Sequence, residues 1–109
     1  MPPRRRGLGL SMGYKLSDKA FADVIEIYSY GVGKFGKLQA EKFYDGLLLK
    51  FAKIAQNPKL CRERKEAQPP VRVYSYSGHV IVYIVNSKNV LILRVLHGHY
   101  DWQSDFSEN

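Results

Sequence analysis

A chain of 109 residues with 45% hydrophobic character suits one domain with a modest core. Its single Cys61 excludes an internal disulfide and a Cys-rich metal site, which makes a reducing cytoplasm the expected compartment. The net charge of +7 favours an acidic partner, and no apolar run approaches the ~20 residues a membrane span needs.

The start, MPPRRRGLGLS, is basic but lacks the apolar stretch of a secretory signal. Residues 1–11 are expected to be a disordered basic leader, and residues 12–109 a single domain, with Met12 an alternative start. Setting Arg4, Arg5 and Arg6 aside leaves a charge of +4 on the rest.

Tyr14-Lys15-Leu16 reads as a short extended segment. Ser17 or Asp18 then supplies an N-cap. Phe21, Val24, Ile25 and Tyr28 recur at the spacing of one helical face, and Gly31, Gly33 and Gly36 are expected to loosen the chain between helices. A second helix shows the cleanest period: Ala40, Phe43, Tyr44, Leu47, Leu48, Phe51, Ile54 and Ala55. Asn57-Pro58 stops it, because a residue before proline avoids helical angles. The two helices are predicted to form an antiparallel hairpin.

The charged segment 59–70 has no periodicity and is expected to be a loop. Val71 to Tyr76, His79 to Asn86 and Val90 to His97 then form a meander, with a tight turn at Ser77-Gly78. In the middle strand Val80, Val82 and Ile84 oppose Ile81, Tyr83 and Val85. In the last strand Val90, Ile92, Arg94 and Leu96 oppose Leu91, Leu93 and Val95. Both strands are apolar on both faces and should be central. Counting the four predicted strands in chain order, the sheet order is then one, four, three, two. One helical layer shelters one face of that sheet. The other is expected to be covered by Tyr100, Trp102 and Phe106 or by another protein.

The order of these elements resembles the ParE branch of the ParE/RelE toxin superfamily, over Tyr14 to about Trp102. The likeness rests on Asp23, Tyr28-Ser29-Tyr30, Phe35-Gly36, Gln39-Ala40, Asn57-Pro58 with Arg62, Arg72, His79 to Tyr83, Arg94-Val95-Leu96-His97 and Asp101. Cys61 stands where the family often has glycine, Ile84 where it usually has a polar residue, and Pro69-Pro70 is unusual. The resemblance implies an α+β fold of order β-α-α-β-β-β, with the helix hairpin on a small, mainly antiparallel four-stranded sheet.

It also implies the toxin of a type II toxin–antitoxin pair. Such a toxin is expected to poison DNA gyrase, through its A subunit, by binding without covalent chemistry. A ParD-like antitoxin is expected to neutralise it within a hetero-oligomer. No cofactor, membrane or sequence-specific nucleic-acid partner is implied. The alternative is a RelE-like ribosome-dependent mRNA endonuclease.

RNA cleavage needs a proton acceptor, a proton donor and cations around the phosphate. Arg72, Arg94, His97 and Tyr100 are the candidates for that chemistry. For a target-binding surface the candidates are Arg62, Arg64, Arg94, His97, His99, Tyr100, Asp101 and Trp102. Arg72, Tyr74, Tyr76 and Tyr83 are the candidate antitoxin contacts, since aromatic and Arg groups together suit a protein interface. Arg94, on an apolar strand face, needs a carboxylate, and Asp101 or Asp23 can serve. His79 is expected to bond locally. Three scattered histidines and one cysteine do not suggest a metal-ligand set.

Overall fold

The computed structural model describes residues 13–98 together with Trp102 and Gln103. The leader, His99, Tyr100, Asp101 and Phe106 lie outside the described residues. The chain runs β1 (Gly13–Leu16), α1 (Asp18–Phe35), α2 (Lys37–Gln56), β2 (Glu63–Arg64), β3 (Val71–Tyr76), β4 (His79–Val85) and β5 (Asn89–His97). The α+β architecture and the predicted strand order are both observed: the sheet reads β1-β5-β4-β3-β2. It has a fifth strand that the sequence does not announce. The two-residue β2 pairs Glu63 with Arg72 and Arg64 with Val71, inside the segment expected to be loop.

Ser17, with its extended backbone, caps α1 by accepting from the Ala20 N–H at 3.0 Å. The helix runs through Gly31 and Gly33 and breaks at Gly36 alone, where φ is +91°. Gly31 is used differently from the expected loosening. A Cβ there would meet the Cβ of Ala40 at 3.4 Å, so α1 and α2 pack against each other at this point. The Ser77-Gly78 turn has positive φ at both residues, +50° and +83°, the two-residue geometry that matches strand twist.

The core between the helices and the sheet contains Ala20, Val24, Leu47, Phe51, Ile54, Ile81, Tyr83, Val90, Ile92 and Val95, all buried. A second cluster on the far face joins Ala67, Val71 and Val82, with Val73, Val80, Ile84, Leu93 and Trp102 packed against it. Alternation in β4 therefore runs as expected. In β5 it does not. Val82 lies opposite Arg94 but Tyr83 lies opposite Ile92, so a bulge at Leu93 shifts the register. Val95 joins the helix-side core with Ile92, three residues away, and Arg94 takes a register position opposite the far-face residue Val82.

The α1 stripe is also rotated from the expected one. Ala20 and Val24 are buried, whereas Phe21 and Ile25 are 59% and 50% exposed. The far face of the sheet is substantially roofed by the chain itself, through Ala67 and Trp102. The large exposed apolar side chains sit instead on the helices and the following turn: Phe21, Ile25, Tyr30, Phe35, Leu38, Tyr44, Leu49 and Leu60.

Candidate functional site

β1 pairs in parallel with β5 only as far as Leu16 opposite Ile92. Beyond that point β5 has an open edge whose backbone groups need partners. Helix α1 supplies them. The Ser17 N–H donates to the Ile92 carbonyl at 2.9 Å, and its hydroxyl donates to the Leu93 carbonyl at 2.9 Å. Further along α1, the Asp23 carboxylate accepts from the Val95 N–H at 2.9 Å. The same carboxylate accepts two bonds from Arg94, from Nε at 2.8 Å and from Nη2 at 2.9 Å. Fixing Ser17 and Asp23 on β5 sets the rotation of α1, which is why Phe21 and Ile25 turn outward. Both members of the ion pair are largely shielded, at 21% and 13% side-chain exposure. Asp23 is thus observed as a partner of Arg94, while Asp101, the other carboxylate proposed for it, lies outside the described residues.

Beside this pair opens a cleft of about 880 Å³ between the helix junction and the C-terminal end of β5. Asp23, Glu26, Tyr30 and Phe35 of α1 form one wall, with Gln39 and Phe43 of α2. Ser77, Gly78 and His79 of the hairpin and Arg94 to His97 of β5 form the other. His79 and His97 lie directly opposite each other on β4 and β5, with ring centres 5.4 Å apart. The Phe43 ring packs against His79 at 5.2 Å, and His79 Nδ1 donates locally to the Ser77 carbonyl at 3.4 Å, as expected. Burial holds the His79 imidazole below its ordinary pKa. The neighbouring His97 lowers it further, and the Ser77 bond opposes both.

The described residues among those proposed for target binding do not converge. Arg94 and His97 line the cleft. Arg64 instead sits 5.5 Å over the Trp102 ring and pairs with Glu66 at 3.5 Å, and Trp102 belongs to the far-face cluster. Arg62 reaches no further than the Glu63 carbonyl, at 3.4 Å. Of the described endonuclease candidates, Arg72 is absent from the cleft and donates to the Cys61 carbonyl at 2.6 Å.

Tyr83, proposed as an antitoxin contact, is wholly buried and donates to the Pro58 carbonyl at 3.1 Å. It cannot be a surface contact in this fold. Its phenol is pushed up to about 12, first by burial and then by Cys61. Tyr74 and Tyr76 are half-buried against the helix-side core, Tyr76 with its ring 5.3 Å from that of Phe43. Alternation puts Arg72, Tyr74 and Tyr76 on one face, but it is the face that α2 covers.

Glu26, Gln39 and the exposed Phe35 and Leu38 at the helix junction were not among the candidate site residues, although Phe35 and Gln39 carry part of the family likeness. Phe35 and Leu38 are 62% and 68% exposed. The signal available was their position on either side of Gly36, where a helix break points apolar groups away from both helices.

Among the described residues no three His, Cys, Asp or Glu side chains gather as a metal-ligand group. No described helix is long and apolar enough to cross a membrane. The fold thus presents a small α+β protein with an aromatic-walled cleft beside the internal Arg94–Asp23 ion pair.

Over residues 14–102 the sequence matches the family described as the ParE toxin of the type II toxin–antitoxin system parDE. The chain belongs to that family. It is 31% identical over 84 residues to Toxin ParE1 of Caulobacter vibrioides, covering 77% of this chain and 86% of that protein. Among solved structures it is similar to the chromosomal ParDE system from P. aeruginosa. That match has a TM-score of 0.68 and 25% identity, and covers 79% of this chain and 95% of that one.

Proposed function

We propose that this ParE-family toxin arrests growth by binding DNA gyrase in the cytoplasm, through the A subunit, and that a ParD-like antitoxin silences it within a hetero-oligomer. The observation that carries a binding mechanism is the state of the two central arginines. Arg94 is committed to Asp23 and Arg72 to a backbone carbonyl, so neither is arranged to surround a scissile phosphate. Family membership over 14–102 supports the toxin role. The gyrase target rests on the family likeness.

For the antitoxin, the cleft and its exposed border of Tyr30, Phe35 and Leu38 are the favoured seat, because desolvating such a border is what an apolar partner segment achieves. A purified supercoiling assay tests the mechanism. The chain should inhibit gyrase and trap cleaved DNA while leaving ribosome-bound message intact. Cleavage of message that disappears in Arg72→Ala or Arg94→Ala, with gyrase unaffected, would instead establish an endonuclease. Phe35→Ser and Leu38→Ser should each weaken antitoxin binding about tenfold with the fold unchanged. Unchanged affinity in both variants would move the antitoxin elsewhere.

A further inference from the structure

We propose that the flank of α2 facing β3 is a contact surface for the sugar–phosphate backbone of duplex DNA, gripped through Lys42, Lys50 and Lys53. At 3.6 residues per turn these three positions fall within about 80° around the helix, with Gly46 among them. Glu41 and Asp45 fall on the other side of that flank, and Glu41 is paired with Lys37. Among the described residues none of the three lysines is in an ion pair. Lys42 and Lys53 are exposed, and Lys50 is half-buried.

Strand β3 fixes which way the flank faces. The Tyr76 ring lies across α2 so closely that a Cβ at Gly46 would overlap its hydroxyl. Phe43 packs against that ring at 5.3 Å, and Lys50 Nζ stands 5.9 Å from its centre. A lysine stem resting on an aromatic ring keeps its ammonium in water. Past the helix end the positive edge continues. Arg72 of β3 donates to the Cys61 carbonyl at 2.6 Å, which ties the following segment to the same side, with Lys59 and Arg62 exposed. Glu63, in β2, ends it.

Charge and length select the partner. At 1.5 Å per residue, Lys42 to Lys53 spans about 16 Å, which runs alongside about five phosphates of one strand of B-DNA. Lysine suits phosphate as a point charge, whereas protein interfaces are depleted in it. Tyr76, between Phe43 and Lys50, offers no open ring for base stacking. The contact is therefore with backbone and is independent of sequence. The net charge of +7 adds a long-range attraction. This surface stands apart from the gyrase reading, and its test contains no gyrase.

The test is a fluorescence-anisotropy titration of the full chain against two short DNA duplexes of unrelated sequence. Both should bind alike, and contact with three phosphates should make affinity fall about 40-fold between 50 and 200 mM salt. Lys42→Gln, Lys50→Gln and Lys53→Gln should each weaken binding about tenfold at 50 mM salt and reduce the salt slope by about one. Lys88→Gln removes the same charge from the β4–β5 turn and should leave affinity within about twofold of the parent's. The same lysine dependence should persist when Arg4, Arg5 and Arg6 are all replaced by Gln. Circular dichroism confirms that each variant is folded. Should one misfold, the amide resonances of the unmodified chain decide: added duplex must shift those of Lys42, Lys50 and Lys53. The proposal fails if neither duplex binds, if one binds far better than the other, if the three α2 variants bind as the parent does, if Lys88→Gln weakens binding equally, if the leader substitutions alone abolish it, or if those resonances stay in place. Loss of antitoxin binding in the three variants, with DNA left unbound by the parent, would assign the flank to an acidic protein instead.

Discussion

On the helix side of the sheet, Phe51, Ile54, Ile81, Tyr83, Val90 and Ile92 are excluded from water altogether. On the far side the cover among the described residues comes from Ala67 and Trp102, and Val73, Val80, Ile84 and Leu93 remain half-buried. The first face is closed by regular helices whose period matches the surface they cover. The second is closed by Ala67, from the loop before β3, and by the Trp102 side chain. Apolar strands thus have a roof on both sides, but stability should be concentrated on one.

Phe51→Ala tests the stronger side and should cost about 4 kcal/mol, since it leaves a large cavity between α2 and the sheet. A urea unfolding midpoint close to the parent's would refute the contrast between the faces. Asp23→Ala should cost about 3 kcal/mol, because it strands a shielded guanidinium and the Val95 N–H together. Amide exchange at Val95 should accelerate in that variant more than at Ile81. Val82→Ala, at the centre of the far-face cluster, should cost about 2 kcal/mol. A loss equal to that of Phe51→Ala would mean that both roofs bear alike on the fold.

Tyr83→Phe is the mildest change. It removes the bond to Pro58 and should cost about 1 kcal/mol at neutral pH. Its sharper signature lies in alkali. A phenol raised from 10.0 to about 12 in the fold keeps its proton where the unfolded chain loses it. Stability from this group is therefore complete below pH 10 and declines as the pH rises toward about 12. Denaturation midpoints measured across that window should fall less steeply in Tyr83→Phe than in the parent. His79 acts at the other end, since its lowered pKa makes its contribution complete above about pH 6.5 and lost as the pH falls toward its folded value.

Much of the fold is legible in residue order because the information is local. Ser17 marks a helix start through its side-chain oxygen, Asn57-Pro58 a helix stop through steric exclusion, and Ser77-Gly78 a turn through its tolerance of positive φ. The doubly apolar β4 and β5 reveal their central places by composition. The candidate site was less legible. Arg94, His97 and His79 could each be singled out, and Asp23 could be named as a partner. No local pattern announced that a bulge at Leu93 would carry Val95 to the helix face, or that α2 would cover the face of Tyr74 and Tyr76.

By itself, then, the sequence determined the two helices, the four longer strands and their order, and the family likeness, since periodicity, turn chemistry and motif spacing act over a few residues. Only the tertiary structure decided that α1 completes the open edge of β5 through Ser17 and Asp23, turning Phe21 and Ile25 to solvent. It likewise decided that two histidines 18 positions apart face one another. The reason is physical. Strand register and helix rotation are settled where backbone groups across the fold must find hydrogen-bond partners, and a shift of one residue there changes which side chains meet.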